Sequence, residues 1–199
     1  MDLRALSGRR AALAAGVIAL LAMALYFLLP RLPFIDPPLS GGSSGATSVP
    51  ATAGEAVTFG AFICAAHSTP TLRSAVPVTE GPLEVTALLV HAFDYAERDG
   101  DPGQFALGTV RGTAPDFDEP YARLQSGLGA FSGEVTEVDG TIVDADCDDP
   151  DDVEQIVVSA EPSRDDVRSR ITGIEVTYDA WGRSWSQELP VDWRFRSRR

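Results

Sequence analysis

Hydrophobic and polar residues alternate with a period of two along much of the chain after residue 55. The clearest example lies near the carboxyl end, where every second residue is apolar from Ile174 to Tyr178 and again along much of Trp185 to Phe195. Successive side chains of a strand point to opposite faces, so this pattern is typical of strands with one buried face. The stretch "DAWGR" between the two runs supplies a glycine for a tight turn. The sequence therefore predicts an antiparallel hairpin here.

Further short runs predict more strands. They are Val57 to Ile63, Leu83 to Phe93, Gln104 to Val110, Phe131 to Val138 and Val153 to Ala160. Turn-like sequences such as "RDGDPG" and "EPSRDD" separate them. About seven short strands at this spacing predict an all-β fold, an immunoglobulin-like antiparallel β-sandwich over residues 55–195. Only "DEPYARLQSG", residues 118–127, has the pattern of a helix.

The longest apolar run, "AALAAGVIALLAMALYFLL" at residues 11–29, carries no charged residue. As a helix it would be roughly 28 Å long, close to the thickness of a bilayer's hydrocarbon core. Three arginines lie within residues 1–10 and only Arg31 follows closely, so the amino terminus is expected in the cytoplasm. The sequence predicts a single-pass cell-membrane protein whose carboxyl-terminal domain is extracytoplasmic. The alternative is a secreted protein, produced by signal cleavage after the A-x-A-like pair Ala22 and Ala24.

The segment "RLPFIDPPLSGGSSGATSVPATAG", residues 31–54, is rich in Pro, Gly, Ser and Thr. It holds too few bulky apolar residues to form a core, so it is predicted to be a flexible linker. The predicted organisation is therefore a membrane helix, a linker and one exported β domain.

The apolar run, the Pro-rich stretch and a two-cysteine β domain ending "GIEVTYDAWGRSWSQELPVDW" resemble single-pass membrane-anchored proteins of actinobacterial type. The resemblance covers the architecture of most of the chain. It implies an extracytoplasmic two-cysteine β domain but no activity, and no functional residue carries over from it.

The formal net charge is -13, and all basic residues are arginines. Because nucleic-acid binding requires a cationic face, a nucleic-acid partner is not expected. The chain nevertheless ends "WRFRSRR", and residues 196–199 are predicted to be a basic tail. Such a tail can pair with the acidic residues of the chain, contact anionic lipid or cell-wall polymer, or fray into solvent.

The chain has two cysteines, Cys64 and Cys147. Disulfides persist in exported proteins, so these two cysteines are predicted to be bonded to each other. "CAAH" also places His67 three residues after Cys64, but four-coordinate zinc needs further ligands and the only other histidine is His91. His91 is predicted to be a partly buried, hydrogen-bonded residue.

The stretch "DADCDDPDDVE", residues 144–154, contains seven acids in eleven residues. Its first aspartates fit the start of an EF-hand calcium loop. However, the sixth position is Asp149 where Gly is required, and the twelfth is Gln155 where Glu is required. The following residues also predict a strand and not the second helix of an EF-hand. The EF-hand interpretation is therefore rejected.

Two interpretations of the acidic stretch remain open, a solvated edge loop and a looser calcium site between strands. Calcium needs only several oxygen ligands at suitable distances. The candidate ligands are Asp144, Asp146, Asp148 and Asp151, and "RDGDPG" offers Asp99 and Asp101 as further contributors. No other cofactor is predicted.

No catalytic motif stands out: the sequence has no G-x-S-x-G and no Gly-rich phosphate loop followed by a helix. The favoured hypothesis is therefore a non-enzymatic cell-envelope protein that displays its β domain to a protein or cell-surface partner. The alternatives are a calcium-stabilised surface domain and an envelope hydrolase that uses a base such as His91.

Overall fold

The structure, a computed structural model, describes residues 18–21, 23–25, 36–43, 45–92, 109–115, 134–149, 152, 154–165 and 168–196. The chain forms two compact units, Met1–Pro37 and Pro38–Arg199. In the first unit, residues 18–21 and 23–25 are helical. None of the helices in the described ranges is long and apolar enough to span a bilayer. Most of the predicted span, residues 11–29, lies outside those ranges, so membrane anchoring stays a prediction.

The second unit is a two-sheet β structure. Its strands are β1 (Leu39–Gly42), β2 (Ala46–Pro50), β3 (Val57–Ala65), β4 (Thr71–Glu80), β5 (Leu83–Ala92), β6 (Val110–Arg111), β7 (Glu134–Glu137), β8 (Glu154–Pro162), β9 (Ser169–Ala180) and β10 (Arg183–Arg196). Sheet A has the order β1-β3-β8-β5-β7, and β6 pairs with β3. Sheet B has the order β2-β10-β9-β4. All pairs are antiparallel except β2 with β10.

Large apolar side chains of the two sheets form one core. Phe59 of sheet A stacks on Trp193 of sheet B at a centroid distance of 4.9 Å, and Phe195 meets the same phenyl ring edge-on at 5.4 Å. Ile171 and Tyr178 are also fully buried in this cluster. Face-to-face packing of this kind confirms the predicted all-β sandwich.

Sheet A is covered on both faces at its centre. β8 is buried at nearly every position, so residues on its outer face are as inaccessible as those facing the core. The segment that contains Ala114 lies against this outer face at Ser159. The hydroxyl of Ser159 accepts a hydrogen bond from the backbone N–H of Ala114 at 2.9 Å and also bonds the hydroxyl of Thr58 at 2.7 Å. The outer face of sheet B, in contrast, is the solvent face of the sandwich.

The predicted carboxyl-terminal hairpin is confirmed as β9 and β10. Ala180 pairs with Arg183, which leaves Trp181 and Gly182 as a two-residue loop. Both loop residues have positive φ, 52° and 70°, as a type I′ turn requires. This turn aligns the two long strands in one register from Arg183 to Pro190, and a bulge between Pro190 and Trp193 then shifts the register.

The linker predicted at residues 31–54 is wrong from Pro38 onward. Within it, β1 pairs with the end of β3, and β2 lies parallel to β10. Gly41 and Gly42 of this segment serve close packing: a Cβ on Gly41 would clash with the carbonyl oxygen of Phe62, and one on Gly42 would lie 2.7 Å from the carbonyl oxygen of Pro190. The low apolar content therefore reflects two short edge strands and not a flexible chain.

The sequence of strand β4, "TLRSAVPVTE", does not alternate regularly between apolar and polar residues and contains a proline, so the pattern does not predict this strand. A bulge between Leu72 and Ser74 shifts the register, so the buried residues are Leu72 and Ala75, three positions apart. Pro77 cannot donate to a central ladder, but β4 is an edge of sheet B, where a proline is tolerated.

Some predicted elements lie largely outside the described ranges. These are the helix at residues 118–127, most of the strand from Gln104 to Val110 and the first part of the strand from Phe131 to Val138. Where the structure does describe those strands, Val110 belongs to β6, and β7 occupies Glu134–Glu137. The predicted basic tail is corrected at one position, because Arg196 is the last residue of β10.

The corrected amino-terminal boundary predicts how truncations behave. A chain beginning at Pro38 keeps β1 and β2, whereas one beginning at Glu55 loses them and the buried residues Leu39 and Val49. Burying each of these side chains contributes roughly 1.5–3 kcal/mol. We expect the shorter chain to lose about 3–6 kcal/mol and to melt about 10 °C lower, or to remain unfolded. Circular dichroism melts of both chains measure this, and equal melting temperatures would restore the boundary at residue 55.

Candidate functional site

Cys64 and Cys147 are joined by a disulfide, as predicted, with a Cα–Cα distance of 5.0 Å. Two backbone hydrogen bonds support it: Ala65 N–H donates to the carbonyl of Ala145 at 2.7 Å, and Cys147 N–H donates to the carbonyl of Ala65 at 3.3 Å. The bond thus fastens the acidic loop, residues 139–149, to the end of β3. Cys64 is therefore not available as a ligand beside His67, which is exposed.

Aspartates in the acidic loop are directed towards its own backbone. The N–H of Asp148 donates to Oδ1 of Asp146 at 2.9 Å, and the N–H of Asp146 donates to Oδ2 of Asp152 at 3.0 Å. Side chains that accept from nearby amides in this way stabilise a turn. The aspartates hold the loop in shape.

The aspartates that were predicted to bind calcium do not form a common site in the described part of the chain. No group of three or more His, Cys, Asp or Glu side chains there could hold a metal ion. Asp144, Asp146 and Asp148 are each exposed, whereas Asp151, Asp99 and Asp101 lie outside the described ranges. Calcium binding stays a prediction without a site in this structure.

A carboxyl pair that the sequence did not indicate lies beneath this loop. Glu154, the first residue of β8, is only 5% exposed, and its Oε2 has no hydrogen-bond partner among the described atoms. Burial raises the pKa of Glu154 from 4.5 to about 8, helped by the hydrogen bond and negative charge of Asp144 and by the charge of Asp152. With a pKa of about 8, Glu154 is mostly protonated at neutral pH.

His91 is buried and hydrogen-bonded, as predicted, and more completely buried than expected. It is 0% exposed on β5, and its Nδ1 lies 3.1 Å from Nε2 of Gln155, its direct neighbour on β8. The hydrolase alternative required a base such as His91 in a pocket. A residue with no contact to solvent does not provide one.

The solvent face of sheet B carries a cluster of arginines drawn from two strands. Arg170 of β9 pairs directly with Arg194 of β10. Ser169 pairs with Phe195 at the end of the ladder; Arg168 directly precedes Ser169, and Arg196 directly follows Phe195. These four arginines, with Ser48 and Glu80, line a cleft of about 660 Å³, which we call the arginine cleft.

Two arginines in the cleft are paired with carboxylates. Arg170 binds Glu80 through two nitrogens at 2.7 and 2.9 Å, and Arg194 Nε binds Asp192 at 2.8 Å. Accordingly, the arginine hydrogen bonds lower the pKa of Glu80 and of Asp192. The hydrogen bond and negative charge of Asp192 raise the pKa of Arg194, and the positive charge of Arg170 opposes this rise only weakly.

The other two arginines have no carboxylate partner among the described residues. Arg196 donates from Nε to the hydroxyl of Ser48, and Arg168 is exposed. Among the residues that the structure describes, four arginines against two carboxylates give the cleft an excess of two positive charges. In a chain with a net charge of -13, this is a local reversal of sign.

The arginine cleft and the acidic loop lie at opposite ends of the sandwich. Strand β4 begins beside the loop, where Thr71 bridges Ile142, and ends in the cleft at Glu80. Its ten residues span roughly 30 Å at 3.3 Å per residue. Arg194 and Arg196 therefore do not pair with the acidic loop of the same chain. The sequence allows such pairing as one role of the basic carboxyl end, and the structure does not show it for these two residues.

Comparison of this chain with protein-family models and with curated proteins found no match.

The disulfide predicts a measurable loss of stability on its removal. A bond that closes a loop across 83 residues of sequence separation stabilises a domain by up to about 4–5 kcal/mol. We expect the double variant Cys64→Ser, Cys147→Ser to unfold at a clearly lower urea concentration than the oxidised parent. Reductant should shift the parent to the same midpoint while leaving the variant unchanged. A parent whose midpoint is insensitive to reductant would contradict this role.

Glu154 predicts a pH-dependent stability. Its folded pKa of about 8 lies above the ordinary 4.5, so the folded chain holds a proton that the unfolded chain releases. Stability is therefore lost progressively as pH rises from about 4.5 to 8. Glu154→Gln removes this loss and should be more stable than the parent by about 2–4 kcal/mol at pH 8, with little difference at pH 4.5.

Urea denaturation of parent and variant across this pH range measures the difference. Glu84→Gln, which neutralises an exposed carboxylate on neighbouring β5, is the matched control and should follow the parent at every pH. A constant difference between Glu154→Gln and the parent, independent of pH, would show that Glu154 does not carry the buried proton.

Proposed function

We propose that this chain is a non-enzymatic, membrane-anchored cell-envelope protein that displays a disulfide-stabilised, immunoglobulin-like β-sandwich for protein or cell-surface interaction. We further propose that it binds an anionic component there, and that the arginine cleft is the binding surface. The observation that carries the proposal is the excess positive charge of this cleft in a strongly acidic chain.

Charge and register support an anionic ligand. Like charges directly opposite each other on neighbouring strands destabilise a sheet, yet Arg170 and Arg194 occupy such positions. Glu80 and Asp192 offset these two charges, while Arg168 and Arg196 are left as a second adjacent pair. A bound anion would remove the remaining repulsion.

The immunoglobulin-like assignment is supported by the arrangement of strands. Two mainly antiparallel sheets pack face to face, and the chain moves from sheet A to sheet B between β1 and β2. The disulfide differs from the bridge that joins the two sheets in antibody domains, because it links β3 to the acidic loop. We therefore propose a sandwich of this general class without the antibody disulfide.

A non-enzymatic role is supported by how the residues with common catalytic chemistry are used. Both cysteines form the disulfide, and His91 is buried against Gln155. The protein or cell-surface component that binds the domain is defined by charge: it must present negative groups to an exposed sheet face.

Binding to an immobilised polyanion tests this proposal. The full-length chain, solubilised in detergent, should be retained on dextran sulfate despite its net negative charge and should be released as salt screens the interaction. The double variant Arg194→Gln, Arg196→Gln should bind about thirtyfold more weakly, since each of the two lost charged contacts is worth on the order of 1 kcal/mol.

A matched variant controls for net charge. Arg73→Gln with Arg183→Gln removes the same two charges from the other end of sheet B and should bind like the parent. Equal losses in the two double variants would mean that only overall charge matters. A parent that is not retained at low salt would refute the proposed function.

A further inference from the structure

We propose that the arginine cleft recognises a phosphate group carrying two negative charges, a phosphomonoester or a pyrophosphate, held between Arg168 and Arg196. This inference rests on the proposed function and names the chemistry of its ligand.

The four arginines have two different roles. Arg170 and Arg194 are each held by a carboxylate of the same sheet face, Glu80 and Asp192. Arg168 and Arg196 have no acidic partner in the part of the chain that the structure describes. Among the described residues, the two unpaired arginines therefore carry the excess charge of the cleft.

The unpaired arginines are close enough to share one group. They adjoin the paired residues Ser169 and Phe195 at the end of the ladder between β9 and β10, Arg168 just before β9 and Arg196 as the last residue of β10. Both line the same cleft. A single carboxylate would offset only one of the two charges, whereas a doubly charged phosphate offsets both and has three oxygens to accept from two guanidinium forks.

Ser48 adds a hydroxyl at the correct place. Its strand β2 pairs with β10 so that Ser48 is level with Arg194, and its Oγ accepts a hydrogen bond from Nε of Arg196. The serine proton is therefore directed elsewhere and is able to donate to a phosphate oxygen. The site thus combines two guanidiniums with a hydroxyl, which matches a tetrahedral anion better than a planar one.

Isothermal titration of the full-length chain in detergent tests the ligand class with small probes. The probes are glycerol 1-phosphate, pyrophosphate, glycerophosphoglycerol and a glutamate dipeptide. We expect the first two to bind and the last two to bind at least tenfold more weakly. Glycerol 1-phosphate affinity should also fall about tenfold below pH 6, where the phosphomonoester loses its second charge.

Variants locate the site. Arg168→Gln and Arg196→Gln should each weaken pyrophosphate binding about tenfold, and Arg196→Lys several-fold, because lysine keeps the charge but loses the fork. Arg73→Gln should bind pyrophosphate like the parent. A thermal melt of each variant without ligand confirms that it is folded.

The outcomes separate this inference from the proposed function. Retention on dextran sulfate with glutamate dipeptide binding as tightly as pyrophosphate would overturn the phosphate assignment and leave the anion-binding function standing. Equal binding of glycerophosphoglycerol would assign the cleft to phosphodiesters, including lipid headgroups, and would also overturn the dianion. A chain that binds neither dextran sulfate nor any small probe would overturn both.

Discussion

The packing of Phe59 against Trp193 and Phe195 is the contact on which the rest of this sandwich depends. It fixes which face of sheet B is buried, and because strand residues alternate, it also fixes which side chains reach solvent. With Trp193 and Phe195 in the core, Arg194 and Arg196 must point outward. A slip of one residue in β10 would bury both arginines, so the core and the arginine cleft are specified by the same register.

The hairpin of β9 and β10 could be predicted from sequence because its alternation continues over most of its length and a glycine marks its turn. The edge strands could not. β1 and β2 consist largely of small and polar residues, since an edge strand needs close backbone approach more than bulk, as Gly41 beside Phe62 illustrates. In β4, a bulge and Pro77 interrupt the period of two, and both features are tolerated there because one side of the strand has no partner.

The difference between local patterns and contacts made only by folding also explains which candidate sites could be predicted from the sequence. The acidic loop was conspicuous in the sequence because its residues are contiguous, and Cys147 among them correctly indicated the disulfide. Asp146 and Asp152 in this stretch accept hydrogen bonds from its own backbone, whereas the residues of the arginine cleft come from distant segments. Arg168 and Arg196 become neighbours only through the pairing of β9 with β10. Glu154 acquires its raised pKa mainly because β8 buries it, and the nearby Asp144 adds to the effect. Neither the meeting of the arginines nor the burial of Glu154 can be predicted from the local sequence.

The carboxylates in the arginine cleft are consistent with a role in preparing it for a ligand. Exposed ion pairs such as Arg170 with Glu80 contribute little to stability, but a two-nitrogen contact holds the guanidinium in one orientation. Such ordering lowers the entropy that an incoming anion must overcome. Glu80 and Asp192 also reduce the attraction of the cleft for anions in general. Only a group that places two negative charges near Arg168 and Arg196 is attracted by the full charge of both. In a chain of net charge -13, long-range forces repel anions, and selectivity must therefore come from this short-range geometry.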